Sequence, residues 1–134
     1  MFNPNDILYK KILEKGGFIN AHAHFDRAYT VTESNMEKVV NYHLFDKWKF
    51  VDSFKKNADV SRYLENISAA IVEQTKYGVA GAMTFIDVDS VSGFKAIEAA
   101  QLAKIANEDT GFELKICSQA LKGVLAPKEN KFLR

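Results

Sequence analysis

Apolar and polar positions alternate between two periods along this chain. Ile7, Leu8, Ile12 and Leu13 fall at helical spacing, with Lys10, Lys11, Glu14 and Lys15 between them. Asn3-Pro4 suits a helix start and Gly16 a helix end, so a short amphipathic helix is predicted over roughly 4–15. Residues 18–23 begin with Phe18-Ile19 and read as a strand. Residues 26–45 lose the pattern. Thr30, Thr32, Ser34 and Asn35 predict loop, followed by a turn of helix from Ser34 with Met36, Val39 and Val40. Asp46 is the candidate cap of a helix carrying Trp48, Val51 and Phe54, which ends at Asn57-Ala58. The clearest helix spans 59–77, with Leu64, Ile67, Ala70 and Ile71 as its stripe, joined by Tyr63 and Tyr77, and Gly78 as its stop. Val79 to Val88 is a near-continuous apolar run, as expected of a strand covered on both faces. An alanine-rich helix follows over 91–108, with Phe94, Ile97, Leu102 and Ile105 as its apolar residues. Gly111 ends that unit, Phe112 to Ser118 is a third strand, and the polar remainder from Gln119 contains Pro127.

This order predicts an α/β fold built on a βαβαβ unit with parallel strands. Periodicity alone fits three strands of a (β/α)8 barrel or three strands of a doubly wound sheet. The Gly16-Gly17 pair precedes its strand, so it is not a phosphate-binding loop, which follows one.

The composition narrows the classes. At 134 residues with 47% apolar content, the chain is long enough for one globular domain with a core. Eighteen basic and 17 acidic residues leave a net charge of +1, which gives no reason to expect nucleic acid or an anionic membrane as partner. No apolar run is long enough to span a bilayer, and Met1 to Asp6 lacks the pattern of a signal peptide. Cys117 is the only cysteine, so no intrachain disulfide forms, and a cytoplasmic location is expected. On its strand Cys117 reads as a small apolar filler.

The candidate chemistry lies at the end of the first strand, in His22-Ala23-His24-Phe25-Asp26-Arg27. Residues two apart on a strand share a face, about 7 Å apart along it. His22 and His24 therefore project together and can converge on one metal ion. Asp26 either orients His24 or Arg27 through a hydrogen bond or caps a local turn. Arg27 either contacts a polar substrate or lies on the surface. Trp48 either stacks on a planar ring or joins the core. Asp87 ends a strand, where it serves a site or caps the next helix, and Gln119 poses the same choice. His43 lies in the loop region and reads as a solvated residue, or one that supports a site indirectly, rather than a ligand.

The run from Phe18-Ile19 to His22-Ala23-His24-Phe25-Asp26, with Thr30 beyond, resembles the strand-one signature of the amidohydrolase superfamily, especially its cytosine-deaminase-like branch. The resemblance covers about residues 16–126. Trp48 lies where that branch often has a tryptophan in a loop helix. Thr84-Phe85-Ile86-Asp87-Val88 looks like its strand-two segment, with Phe85 in place of a histidine. Glu113 to Ile116 and Gly123-Val124-Leu125 resemble its third strand and the turn after it. Leu121 stands where a substrate-contacting glutamine is common, and Gln119 lies two residues earlier.

The resemblance implies that residues 17–134 are the first three strands of a partial (β/α)8 barrel, preceded by a leading helix over 1–16. It also implies one divalent ion, zinc or iron, held by His22 and His24. In the family the other ligands are a histidine near strand five and an aspartate after strand eight, and a histidine near strand six assists. Such barrels typically need about 250 residues. The expected activity is therefore hydrolytic deamination of a nucleobase-like or other small nitrogen heterocycle, with the site completed by a complementary C-terminal part of the barrel or by a homo-oligomer. Two other readings stand beside it: a non-catalytic interaction module that pairs with a complementary chain, and an adenosine-deaminase-like hydrolase.

Overall fold

The computed structural model describes residues 4–123 together with Leu125 and Lys128. Helix α1 (Pro4–Glu14) leads into strand β1 (Phe18–Ala23) and a 3-10 turn (Phe25–Arg27). Helices α2 (Glu33–Val40), α3 (Leu44–Asn57) and α4 (Val60–Lys76) follow. Strand β2 (Val79–Asp87), helix α5 (Lys95–Ala106) and strand β3 (Glu113–Gln119) complete the described elements. The strands form one open sheet in the order β1-β2-β3, both pairs parallel. This is the expected α/β unit, and it is compatible with part of a barrel. The proposed Asn3 cap, Val124 and Pro127 lie outside the described residues.

The core sits between the sheet and the α4–α5 pair. Ala23, Ala82, Ile86 and Leu114 from the strands meet Tyr63, Ile67, Ala70 and Ile71 of α4 and Ala96, Ala99, Ala100 and Ala103 of α5. Among the described residues the opposite sheet face carries no helix, and Phe18 and Ile19 are exposed. Helix α1 stops where two backbone N–H groups turn back, Gly16 to Leu13 O at 3.0 Å and Gly17 to Ile12 O at 2.9 Å. Both glycines have positive φ, and a Cβ on Gly17 would lie 2.8 Å from the Gly78 carbonyl, so only glycine enters β1 this closely.

Several sequence expectations change. Helix α3 begins two residues before Asp46, with His43 as its N-cap, so Asp46 is not the cap but a first-turn residue paired with Lys49. Helix α2 is capped by Thr32 and begins at Glu33, and only Val39 of its apolar residues is buried. Helix α4 keeps its stripe, but Asn66 joins it and Tyr77 lies outside, exposed as the C-cap. Asp59 caps it as expected, accepting from the Arg62 N–H at 2.8 Å.

Helix α5 starts at Lys95 rather than 91, because residues 89–93 close a polar turn. The Asp89 carboxylate accepts the N–H groups of Val91 and Ser92, both at 2.9 Å. Its buried face is alanine, while Phe94, Leu102 and Ile105 point outward. Lys95 donates to the carbonyls of Lys55, Lys56 and Ala58, tying the start of α5 to the end of α3.

Candidate active site at the carboxyl end of the sheet

Strand parity alone would put Asn20, His22 and His24 on one face. Asn20 reaches the helix side, donating to Gln74 of α4 at 2.9 Å. Asn20 pairs with Ala82 and Ala23 with Thr84, so β1 carries one residue more than β2 over this step. The bulge reverses the parity and turns both histidines onto the face without helices, while Ala23 enters the core.

There the two rings meet. Their Nε2 atoms are 3.2 Å apart and the ring centroids 5.0 Å apart. Phe85 of β2 lies under them, with centroids 4.7 Å from His22 and 5.9 Å from His24. Two nitrogens bound tetrahedrally to one zinc ion stand about 3.3 Å apart, so the pair fits such an ion. Among the described residues no group of three or more His, Cys, Asp or Glu side chains comes together to hold a metal.

The segment beyond β1 is fastened to β2 by side chains. The Phe25 N–H donates to the Thr84 hydroxyl at 3.0 Å, and the Asp87 N–H donates to the Asp26 carboxylate at 3.0 Å. His24 directly precedes these two anchors. Arg27 donates to His24 Nδ1. Its Nε lies 3.9 Å from Asp26 Oδ1 and 3.8 Å from Asp87 Oδ2. Partial burial, then the Arg27 and His22 charges, hold the His24 ring below its ordinary range, against the Phe85 carbonyl and Asp87. The ring is thus neutral near pH 7, the form that binds metals. Burial, with a smaller push from Asp87, raises Asp26 to about 6 against the Asp87 N–H, Arg27 and Lys55.

Below this lies a buried charge cluster that sequence reasoning missed. Lys55 of α3 donates to Asp87 Oδ2 at 3.2 Å and also to Asp89. Burial drives the Asp89 carboxyl upward, but the Lys55 hydrogen bond and the Ser92 and Val91 N–H groups outweigh it and hold the group low. Asp87 therefore belongs to this charge cluster and does not cap α5, whose N-cap is Phe94. Lys55 reads in sequence as an ordinary last-turn lysine. Asp89 did carry a signal: Asp87-Val88-Asp89 repeats, with carboxylates, the one-residue spacing of the histidines.

The remaining candidates separate. Gln119 ends β3 opposite Asp87 in register, with its Oε1 buried and without a protein partner. Asp26 Oδ1, Arg27 Nε and Asp87 Oδ1 are likewise buried without a hydrogen-bond partner. Trp48 is not in the core. It is 56% exposed, packs edge-on against Phe45, and lines a cavity with Arg27 and Leu121. His43 stands apart as the exposed α3 cap, and Cys117 pairs in register with Phe85.

No family model matches this chain. It is 38% identical over 125 residues to an uncharacterized protein of Haemophilus influenzae, an alignment covering 91% of this chain and 44% of that protein. It is 28% identical over 131 residues to a protein of Pseudomonas sp. strain ADP named N-isopropylammelide isopropyl amidohydrolase, covering 96% of this chain and 32% of that protein. The chain thus spans less than half the length of these relatives. The second relative is a distant similarity to a named hydrolase. Among the described residues no helix is long and apolar enough to cross a membrane.

Proposed function

We propose that this chain supplies the first three strands of a metal-dependent hydrolase acting on carbon–nitrogen bonds of a nucleobase-like or other small nitrogen heterocycle. The observation that carries the reading is the convergence of the His22 and His24 Nε2 atoms at 3.2 Å on the open face. The distant similarity to a protein named as an amidohydrolase supports the reaction class.

His22 and His24 would hold one zinc or iron ion through Nε2. The ion, when bound, lowers the pKa of a water to about 7 and so supplies a nucleophile near neutral pH. The overall reaction exchanges a ring amino group for oxygen from water and releases ammonia. The chain's own residues prepare the site. With Arg27 donating to His24 Nδ1, the neutral ring carries its proton on Nε2 and donates it to His22. Holding an ion through both Nε2 atoms would require the opposite tautomer of His24, with its proton on Nδ1 where Arg27 now donates. Asp26 fixes the segment on which both residues sit.

The further ligands and the general acid/base come, in this reading, from a complementary part of the barrel or another chain, and the isolated chain has no activity. Zinc titrated calorimetrically into the purified chain is expected to bind at one site, at least tenfold weaker after joint His22→Ala and His24→Ala substitution. Equal affinity in the two proteins defeats the reading.

A second reading, a non-catalytic module that pairs with a complementary chain, is favoured by one observation. Strands β1 and β3 are both edges of an open sheet, and β1 exposes Phe18 and Ile19.

A further inference from the structure

Beside His24, three buried polar atoms have no hydrogen-bond partner among the described residues: Arg27 Nε, Asp26 Oδ1 and Asp87 Oδ1. One is a charged donor and two are carboxylate acceptors, so they are complementary. Arg27 Nε stands 3.9 Å from Asp26 Oδ1 and 3.8 Å from Asp87 Oδ2, beyond hydrogen-bond distance. An approach of about 1 Å brings Arg27 and Asp26 to the usual length of a charge-assisted hydrogen bond. The remaining carboxylate oxygens of the pair are engaged. Asp26 Oδ2 accepts the Asp87 N–H, and Asp87 Oδ2 accepts Lys55 Nζ.

The guanidinium instead directs its Nη2 at His24 Nδ1. The group is a rigid planar fork and shifts as one body, so its seat on the ring and its fit to the carboxylates are linked. A buried donor and a buried acceptor left unpaired are both unfavourable, which makes the seat on His24 one of two arrangements rather than a fixed one. The seats differ in chemistry. With Nδ1 accepting from Arg27, the His24 proton lies on Nε2 and faces His22 Nε2 at 3.2 Å. That is the nitrogen an ion between the two rings needs bare.

We propose that Arg27 is a positioning residue that latches the imidazole pair through two alternative seats. On His24 Nδ1 it holds the ring in the tautomer with a protonated Nε2. On Asp26 it leaves Nδ1 free to carry the proton and bares Nε2. His24 stays neutral in both. One proton leaves Nε2 to solvent and one arrives at Nδ1 from solvent, so the ring gains and loses none overall. The inference rests on the hydrolase reading for what the bared nitrogen holds.

Imidazole nitrogen shifts in NMR report the tautomer, and only three histidines need assigning. In the parent chain His24 is expected to carry its proton on Nε2 without metal and on Nδ1 at zinc saturation. Arg27→Met is expected to lose the Nε2 preference and to bind zinc about tenfold tighter by calorimetry, because a charged donor no longer competes. An Arg27 that merely props the turn would give weaker zinc binding on its loss. Arg27→Lys keeps a charged donor and is expected to return zinc affinity to within about threefold of the parent. Asp26→Asn keeps an acceptor for the Asp87 N–H but removes the charged seat. It is expected to weaken zinc binding about fivefold with Arg27 present and less than about twofold in the Arg27→Met background, because the two residues act through each other. The titrations are run at high salt, which screens the bare loss of a charge, and circular dichroism checks that each variant is folded.

Zinc binding no tighter in Arg27→Met, additive effects of the two substitutions, or a metal-free parent with His24 already protonated on Nδ1 overturns the latch. Any of these leaves the hydrolase reading standing where joint His22→Ala and His24→Ala substitution still removes the zinc site. Zinc affinity unchanged by that joint substitution sinks the hydrolase reading, and the latch falls with it.

Discussion

Lys55, Asp87 and Asp89 are each no more than about 1% exposed, and together they form an ion cluster beneath the histidine pair. Buried charges are tolerated when each is paired and hydrogen-bonded, and removing one partner leaves the others uncompensated. Asp89 serves twice, gripping Lys55 with one oxygen and closing the turn before α5 with the other. Asp89→Asn keeps the turn acceptor but removes the charge. It is expected to cost about 2 kcal/mol in urea unfolding at pH 7. The sign of its pH dependence follows from the depressed folded-state pKa. The Asp89 contribution is present above the ordinary carboxylate value and is lost as pH falls through the folded value. The stability difference between parent and variant is therefore expected to shrink below about pH 4. A difference that widens on acidification would contradict this account. At this scale the histidine pair was legible, because its spacing alone places both rings on one face. Lys55 was not, because nothing local distinguishes it from its exposed neighbour Lys56.

Among the elements, α5 gives the plainest lesson about apolar patterning. Its larger apolar residues suggested the inward face, yet the sheet is met by Ala96, Ala99, Ala100 and Ala103. The reason is proximity: small side chains let α5 pack closely on both β2 and α4, and larger ones have no room there. Ala99→Leu is expected to destabilise by about 1–3 kcal/mol through overpacking. Ile105→Lys, on the exposed side, is expected to change stability by less than about 0.5 kcal/mol. Denaturant midpoints for the two variants decide the orientation, and the reverse ranking would overturn it. The bulge in β1 belongs to this scale as well. Strand alternation predicted that His22 and His24 share a face, and they do. The same alternation would have placed Asn20 with them, and only the extra residue opposite β2 sends Asn20 to α4 and the histidines to the open side.

At the scale of the molecule, one sheet face is covered by α4 and α5, and the other carries the histidines and, among the described residues, no helix. An open parallel sheet with apolar residues at its edge is a surface on which further strands can pair. Sedimentation analysis of the chain is expected to show an average mass that rises with concentration. Ile19→Lys, at a position 64% exposed on β1, is expected to suppress that rise. A mass independent of concentration in the parent chain would remove self-association from the account.

Local pattern determined the order of strands and helices, their parallel arrangement and the pairing of the two imidazoles, because each depends on spacing along a few consecutive residues. Tertiary structure alone decided which face those imidazoles occupy, which side of α5 is buried, and that Lys55 meets Asp87 and Asp89. These depend on a register slip between strands, on the closeness of packed backbones and on contacts between positions more than thirty residues apart, none of which a local period records.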